Sequence, residues 1–170
     1  KAGSAASTRR QVSAEPGPEG DALLTAKHAE IAANAGRFGW VGYLSTTGVY
    51  GNREGAEVDE DSDLRPGSPR TIARVRAERD WLAVPDLPVH VFRLAGIYGP
   101  GRGPLAKVRD GTARRIIKPG QMFSRIHVED IARVLAASIA RPDPGRIYNV
   151  CDDEPAPPEV VTEAAARLLG

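Results

Sequence analysis

The spacing of apolar positions changes several times along this chain, and each change marks an element. From Trp40 to Gly51 the residues read WVGYLSTTGVYG: an apolar run bounded by Gly39, then the hydroxyl cluster Ser45, Thr46 and Thr47. A nearly continuous apolar run is what a parallel strand covered by helices on both faces requires, and ligands collect where such strands' carboxyl ends meet their loops. The stretch therefore predicts a buried strand that ends at a site. Over residues 21–36, Leu24, His28, Ile31, Ala32 and Ala35 recur at helical spacing, with Asp21 placed to cap the start and Gly36 to stop the turn.

The remaining elements follow in the same way. Val12, Ser13 and Ala14, before the turn-rich EPGPEGD, read as the last residues of a strand. Ser68 and Pro69 give a cap and a first-position proline for a helix reaching Ala83, on which Arg70, Arg74, Ala77 and Trp81 share a face and Arg74 can pair with Glu78 along the surface. Residues 89–95 form the next strand and run into the loop GIYGPGRGP. A short helix over 105–110, extended pieces at 114–118 and 123–127, a helix over 128–140, a strand over 146–150 and a helix over 157–169 complete the chain. Strands alternating with helices predict an α/β fold with a parallel sheet.

Composition narrows the partners. With 170 residues the chain suits one domain, and 23 Lys+Arg against 22 Asp+Glu leave no global field toward nucleic acid or a membrane. No apolar run approaches the roughly 18 residues of a spanning helix, and the single cysteine, Cys151, excludes an internal disulfide framework. A small-molecule partner and a reduced, cytoplasmic setting are expected. Cys151 is expected to be a buried thiol rather than a nucleophile. The acidic residues 57–63 read as a solvated connection and not as a metal site, since no His or Cys accompanies them. Residues 1–11 are small, polar and basic, and read as a disordered tail or linker outside the fold.

YLSTTGVYG, a proline-led segment reaching AERDWL, then VFRLAGIYGPG, SRIHVEDIARVL and GRIYNVCDDEP, occur here in one order. In that order they resemble the NAD-dependent epimerase/dehydratase group of short-chain dehydrogenases/reductases, in its atypical or extended branch, over residues 12–170. The resemblance implies a doubly wound Rossmann-like parallel sheet, here partial, with a small C-terminal substrate-side subdomain. It implies NAD or NADP as cofactor, hydride transfer as the reaction and a small polar substrate. Thr46 matches the family's catalytic hydroxyl. Ser13, Ser45, Thr46, Arg74, Leu94, Ala95, Gly96 and Ile97 match positions that line the cofactor, and Tyr98 and Arg125 match positions on the substrate side. A structural role is expected for His127, at a strand-to-helix junction.

Two departures from the family pattern stand out. Where it has a tyrosine and a lysine four residues apart, this chain has Arg70 and Arg74. Arginine stays charged and cannot exchange a proton as tyrosine does, although Arg74 can offer positive charge and donors to a ribose or phosphate. Either the acid/base comes from elsewhere, with Tyr50 and Tyr98 as candidates, or a non-catalytic relative binds the dinucleotide without the usual chemistry; a solvated helix face is the plainer alternative for both arginines. The second departure is the phosphate loop: the one glycine run of that spacing, Gly36, Gly39 and Gly42, lies after a helix and before a strand, the reverse of what binding requires. The chain thus reads as the later portion of a family member, with weak dinucleotide binding and an exposed sheet edge open to self-association.

Overall fold

A computed structural model describes residues 8–117 and 119–170. Strands β1 (Thr8–Val12), β2 (Phe38–Thr46), β3 (Val89–Leu94) and β6 (Ile147–Val150) form one sheet in that order, and every neighbouring pair is parallel. Strands β4 (Gly96–Tyr98) and β5 (Arg125–His127) make a separate parallel pair on the substrate side. Helices α1 (Ala22–Ala33), α2 (Pro69–Leu82), α3 (Pro104–Arg109), α4 (Val128–Ala140) and α5 (Pro158–Leu169) alternate with them. This is a Rossmann-like α/β sheet.

Each face of the sheet has its own core. Val41 and Tyr43 of β2 and Val89 and Val91 of β3 meet Leu24 of α1 and Ala77 and Trp81 of α2. The alternate positions Trp40, Phe92 and Leu94 meet Ile131 and, at its margin, Val134, Leu135 and Ile139 of α4 on the other face. Strand alternation assigns these two sets, and it later decides which hydroxyl faces which helix. Gly42 is fixed by packing: a Cβ there would fall inside the Trp40 ring. That ring lies along the strand, with its Nε1 donating to Ser138 of α4 at 3.0 Å.

The local signals explain the helix ends. Asp21 Oδ1 accepts the Leu24 N–H at 3.0 Å and starts α1. At α2, Ser68 and Thr71 form a reciprocal capping box ahead of the proline in the first turn. His127 Nδ1 accepts the Glu129 N–H at 3.3 Å at the start of α4, so this histidine caps a helix.

Some expectations are corrected. The first strand spans Thr8–Val12, so residues 8–11 belong to the sheet and not to a tail; residues 1–7 lie outside the described region. Its sequence TRRQV is polar because β1 is an edge strand with only Val12 buried, which removes the apolar signal. The loop after β3 contains β4, too short to read as a strand. Residues 112–117 form no strand, and Lys118 lies outside the described region. Cys151 is exposed, because it follows the last residue of β6 and has left the sheet.

Candidate functional site

The carboxyl ends of β2 and β3 lie side by side. Ser45 stands opposite Arg93 and Thr46 opposite Leu94 in parallel register. Beyond Leu94, Ala95 N donates to Val150 O at 3.0 Å, and the chain then crosses into β4, where Gly96 N donates to Ser124 O at 3.1 Å. Gly96 is exposed, and Ile97 and Tyr98 are half-buried. The hydroxyl-bearing tip therefore adjoins the crossing at Leu94, Ala95 and Gly96.

Alternation sends the two tip hydroxyls to opposite faces. Ser45 is 6% exposed, and its hydroxyl donates to Glu78 of α2. Thr46 is half-buried, and its Oγ1 accepts the Gly48 N–H at 3.1 Å, which shapes the turn after the strand. Its hydroxyl keeps a proton to donate.

Beneath this tip lies a polar network that the sequence reading missed. The Glu78 carboxylate pairs with Arg93 at 2.9 Å, with both side chains under 5% exposed (4% and 3%). Arg93 Nη1 donates to the Tyr50 hydroxyl at 2.7 Å, which donates in turn to Asn149 Oδ1 at 2.7 Å. The acidic loop joins in: the Glu60 carbonyl accepts from Arg93, and its carboxylate accepts the Asn149 N–H at 2.6 Å. A signal was present, since an arginine inside the largely apolar β3 sequence VHVFRL implies a buried anion to meet it. The expected surface pairing of Arg74 with Glu78 is corrected, because α2 turns that face onto the sheet, where Glu78 meets Arg93 and Ser45.

The two arginines of α2 separate. Arg70 is exposed, and its Nε lies 2.7 Å from Glu15 in the loop after β1. Arg74 is 8% exposed, and its Nη1 donates to Ala14 O at 3.2 Å, Tyr43 Oη at 3.1 Å and Leu44 O at 3.0 Å. It joins the tips of β1 and β2. Ser13, beside Ala14, is exposed at the same end.

Neither candidate tyrosine is poised for proton transfer. Tyr50 is 2% exposed and hydrogen-bonded on both sides. A hydrogen bond to Asp152, then partial burial, hold the Tyr98 hydroxyl above its ordinary pKa. Tyr98 packs edge-on against His127 with ring centres 5.2 Å apart. Arg125, next to Gly96 across the β4–β5 pair, donates to Phe123 O at 3.0 Å and Ala156 O at 3.2 Å, so part of its guanidinium braces the substrate-side segment.

Similarity to known proteins adds to this geometry. The model of the NAD dependent epimerase/dehydratase family matches residues 19–151, most of the chain. The chain belongs to that family. A functionally unknown conserved protein from Silicibacter pomeroyi has a solved structure that superposes with a TM-score of 0.92 at 62% identity, over 96% of this chain and 58% of that one. Protein YeeZ of Escherichia coli (strain K12) is 34% identical over 131 residues, 75% of this chain and 45% of YeeZ. A dTDP-glucose 4,6-dehydratase from Bacillus anthracis, solved in complex with NAD, shares the fold at a TM-score of 0.74 and 23% identity, over 86% of this chain and 51% of that chain. The chain thus spans about half the length of the relatives it matches.

The residues divide in their fit to the family's dinucleotide. At the tips of β1, β2 and β3, the Thr46 hydroxyl, the unused donors of Arg74 and the side-chain-free surface of Gly96 suit a flat, hydroxyl-rich group such as a nicotinamide riboside. The turn from β1 to α1 does not suit a pyrophosphate. There Gly17 and Gly20 bond each other at 3.0 Å, and the start of α1 is already capped by the Asp21 carboxylate, with Glu15 and Glu19 nearby in sequence. Among the described residues no group of three or more His, Cys, Asp and Glu could hold a metal ion, and no helix is long and apolar enough to cross a membrane.

Proposed function

We propose that this chain forms the nicotinamide and substrate side of an oxidoreductase or epimerase that transfers hydride to or from a small polar substrate. NAD or NADP, when bound, supplies the hydride chemistry. The observation that carries this reading is the register of β2 on β3, which sets Thr46 beside the Leu94-to-Gly96 crossing at the carboxyl end of a parallel sheet. Thr46 donates its hydroxyl proton to the substrate oxygen and orients it. Leu94, Ala95, Gly96 and Ile97 border the ring, Ser13 and Arg74 border the ribose side, and Tyr98 and Arg125 border the substrate. Ser45 supports the tip through Glu78.

In the full-length protein, Thr46→Ala should lower kcat on the order of 100-fold while NADH affinity, followed by fluorescence, changes little. An unchanged kcat would remove the hydroxyl from the mechanism. A second reading, a binding relative without turnover, is favoured by the engaged state of Tyr50 and the raised pKa of Tyr98. Saturable NADH binding with no turnover of any polyol or sugar substrate is its signature.

A further inference from the structure

Arg74 is a buried cation with no ion pair among the described residues, and residues 1–7 and Lys118 contain no carboxylate that could serve. The buried carboxylates whose charge reaches its partner Tyr43 are Asp21, which caps α1 through Oδ1, and Glu78. Glu78, the nearest acid to Arg74 along α2, is held by Arg93 and Ser45. The three acceptors of Arg74 are two carbonyls and a phenol. The phenol brings no charge, because burial pushes the Tyr43 hydroxyl above its ordinary pKa. All three bonds leave from Nη1, so Nε and Nη2 keep their donors without an acceptor among the described residues. A guanidinium in this state forms strong paired bonds to an oxyanion.

Arg70 stands one helical turn before Arg74 on the same helix and already holds a carboxylate, that of Glu15. Glu15 belongs to the loop that Arg74 grips at Ala14. Both guanidiniums are therefore tied to adjacent residues of one loop, Ala14 and Glu15, beside the exposed Ser13 at the tips of β1 and β2.

We infer that Arg74, with Arg70, forms a seat for an oxyanion of the ligand, a phosphate or a carboxylate, and that Glu15 occupies Arg70 until the anion displaces it. The seat replaces the proton-exchanging pair of the wider family with fixed positive charge, so this end of the sheet selects for an acidic ligand. It rests on the nicotinamide-side reading above for its location only.

The test is a titration of the protein with inorganic phosphate and, separately, with malonate, following the arginine Nε–H signals by NMR. The expected result is a saturable shift at Arg74. Arg74→Lys, which keeps the charge and loses the planar fork, should weaken binding about tenfold. Glu15→Gln, which alters only an exposed pair and leaves the fold alone, should tighten it several-fold. Tighter phosphate binding identifies a nucleotide or phosphoryl group as the occupant, and tighter malonate binding identifies a carboxylate substrate. An Arg74 signal that stays still, or drifts without saturation together with the exposed Arg109, overturns the seat, as does Glu15→Gln without effect. Anion binding at Arg74 in a protein that ignores NADH removes the cofactor reading and keeps the seat. NADH binding with Arg74 indifferent to both anions does the reverse.

Discussion

The tip shared by β2 and β3 and the tip shared by β1 and β2 are built from the same three parts: an arginine, a tyrosine and the inner face of α2. At the first, Arg93 binds both Glu78 and the Tyr50 hydroxyl, which donates in turn to Asn149, so these donors find acceptors in the protein. At the second, the hydrogen bonds of Arg74 go only to the Tyr43 hydroxyl and two backbone carbonyls. The presence of one carboxylate separates a finished structural joint from an open one. A buried ion pair adds little net stability, but removing one member is costly because it strands the other. A buried cation held by neutral acceptors alone keeps reserve binding capacity. The same helix thus supplies a rigid wall on one side of β2 and a receptive one on the other.

Substitutions should separate the two tips. The largest effect belongs to Glu78→Ala, which strands the Arg93 cation in the core and releases Ser45; a loss of about 3–5 kcal/mol in urea unfolding is expected. A loss below about 1 kcal/mol would mean that the first joint is not closed. Arg74→Met removes a cation that has no salt bridge among the described residues, so chiefly its hydrogen bonds to the tips are lost, and about 1–2 kcal/mol is expected by the same measurement. A larger loss than for Glu78→Ala would invert the comparison.

A smaller effect sets both charged tips against the opposite end of the sheet, where His90 is fully buried. Its Nε2 accepts the Asp143 N–H at 2.9 Å, and burial lowers its pKa. The unfolded chain then takes up the proton first. Stability should be complete above the unfolded value of about 6.5 and fall as the pH drops toward the lower folded value. His90→Gln should flatten that slope in unfolding curves collected across this range, and an unchanged slope would assign the acid sensitivity to other groups.

Much of this was legible from the residues. Ser68 and Pro69 announced α2, Asp21 announced α1, and the apolar run at Trp40 announced a central strand, because caps and periodicity act over a few neighbours. The ordered motifs around Thr46, Leu94 and His127 located the carboxyl ends of β2 and β3 and the start of α4. What escaped depends on distant partners. Whether Glu78 faces water or Arg93 is decided by how α2 rolls on the sheet; Ala77 and Trp81 hint at its inner face, but spacing along the helix does not name Arg93 as the partner. β1 escaped for a different reason: an edge strand buries so little that Thr8–Val12 carries no apolar rhythm. The division of Arg70 from Arg74, one exposed and one enclosed, likewise follows from the loop after β1, which sequence spacing does not place.

Trp40 and Gly42 show how one side chain can use two positions. Because the indole covers the space above Gly42, the two residues behave as a single packing unit that spans two strand positions and reaches α4 through Ser138. Mutational drift at either residue alone is blocked: a smaller ring would leave a void over the glycine, and any side chain at 42 would evict the ring. Lineages that change one must change the other, so across homologues the two should be inherited as a pair.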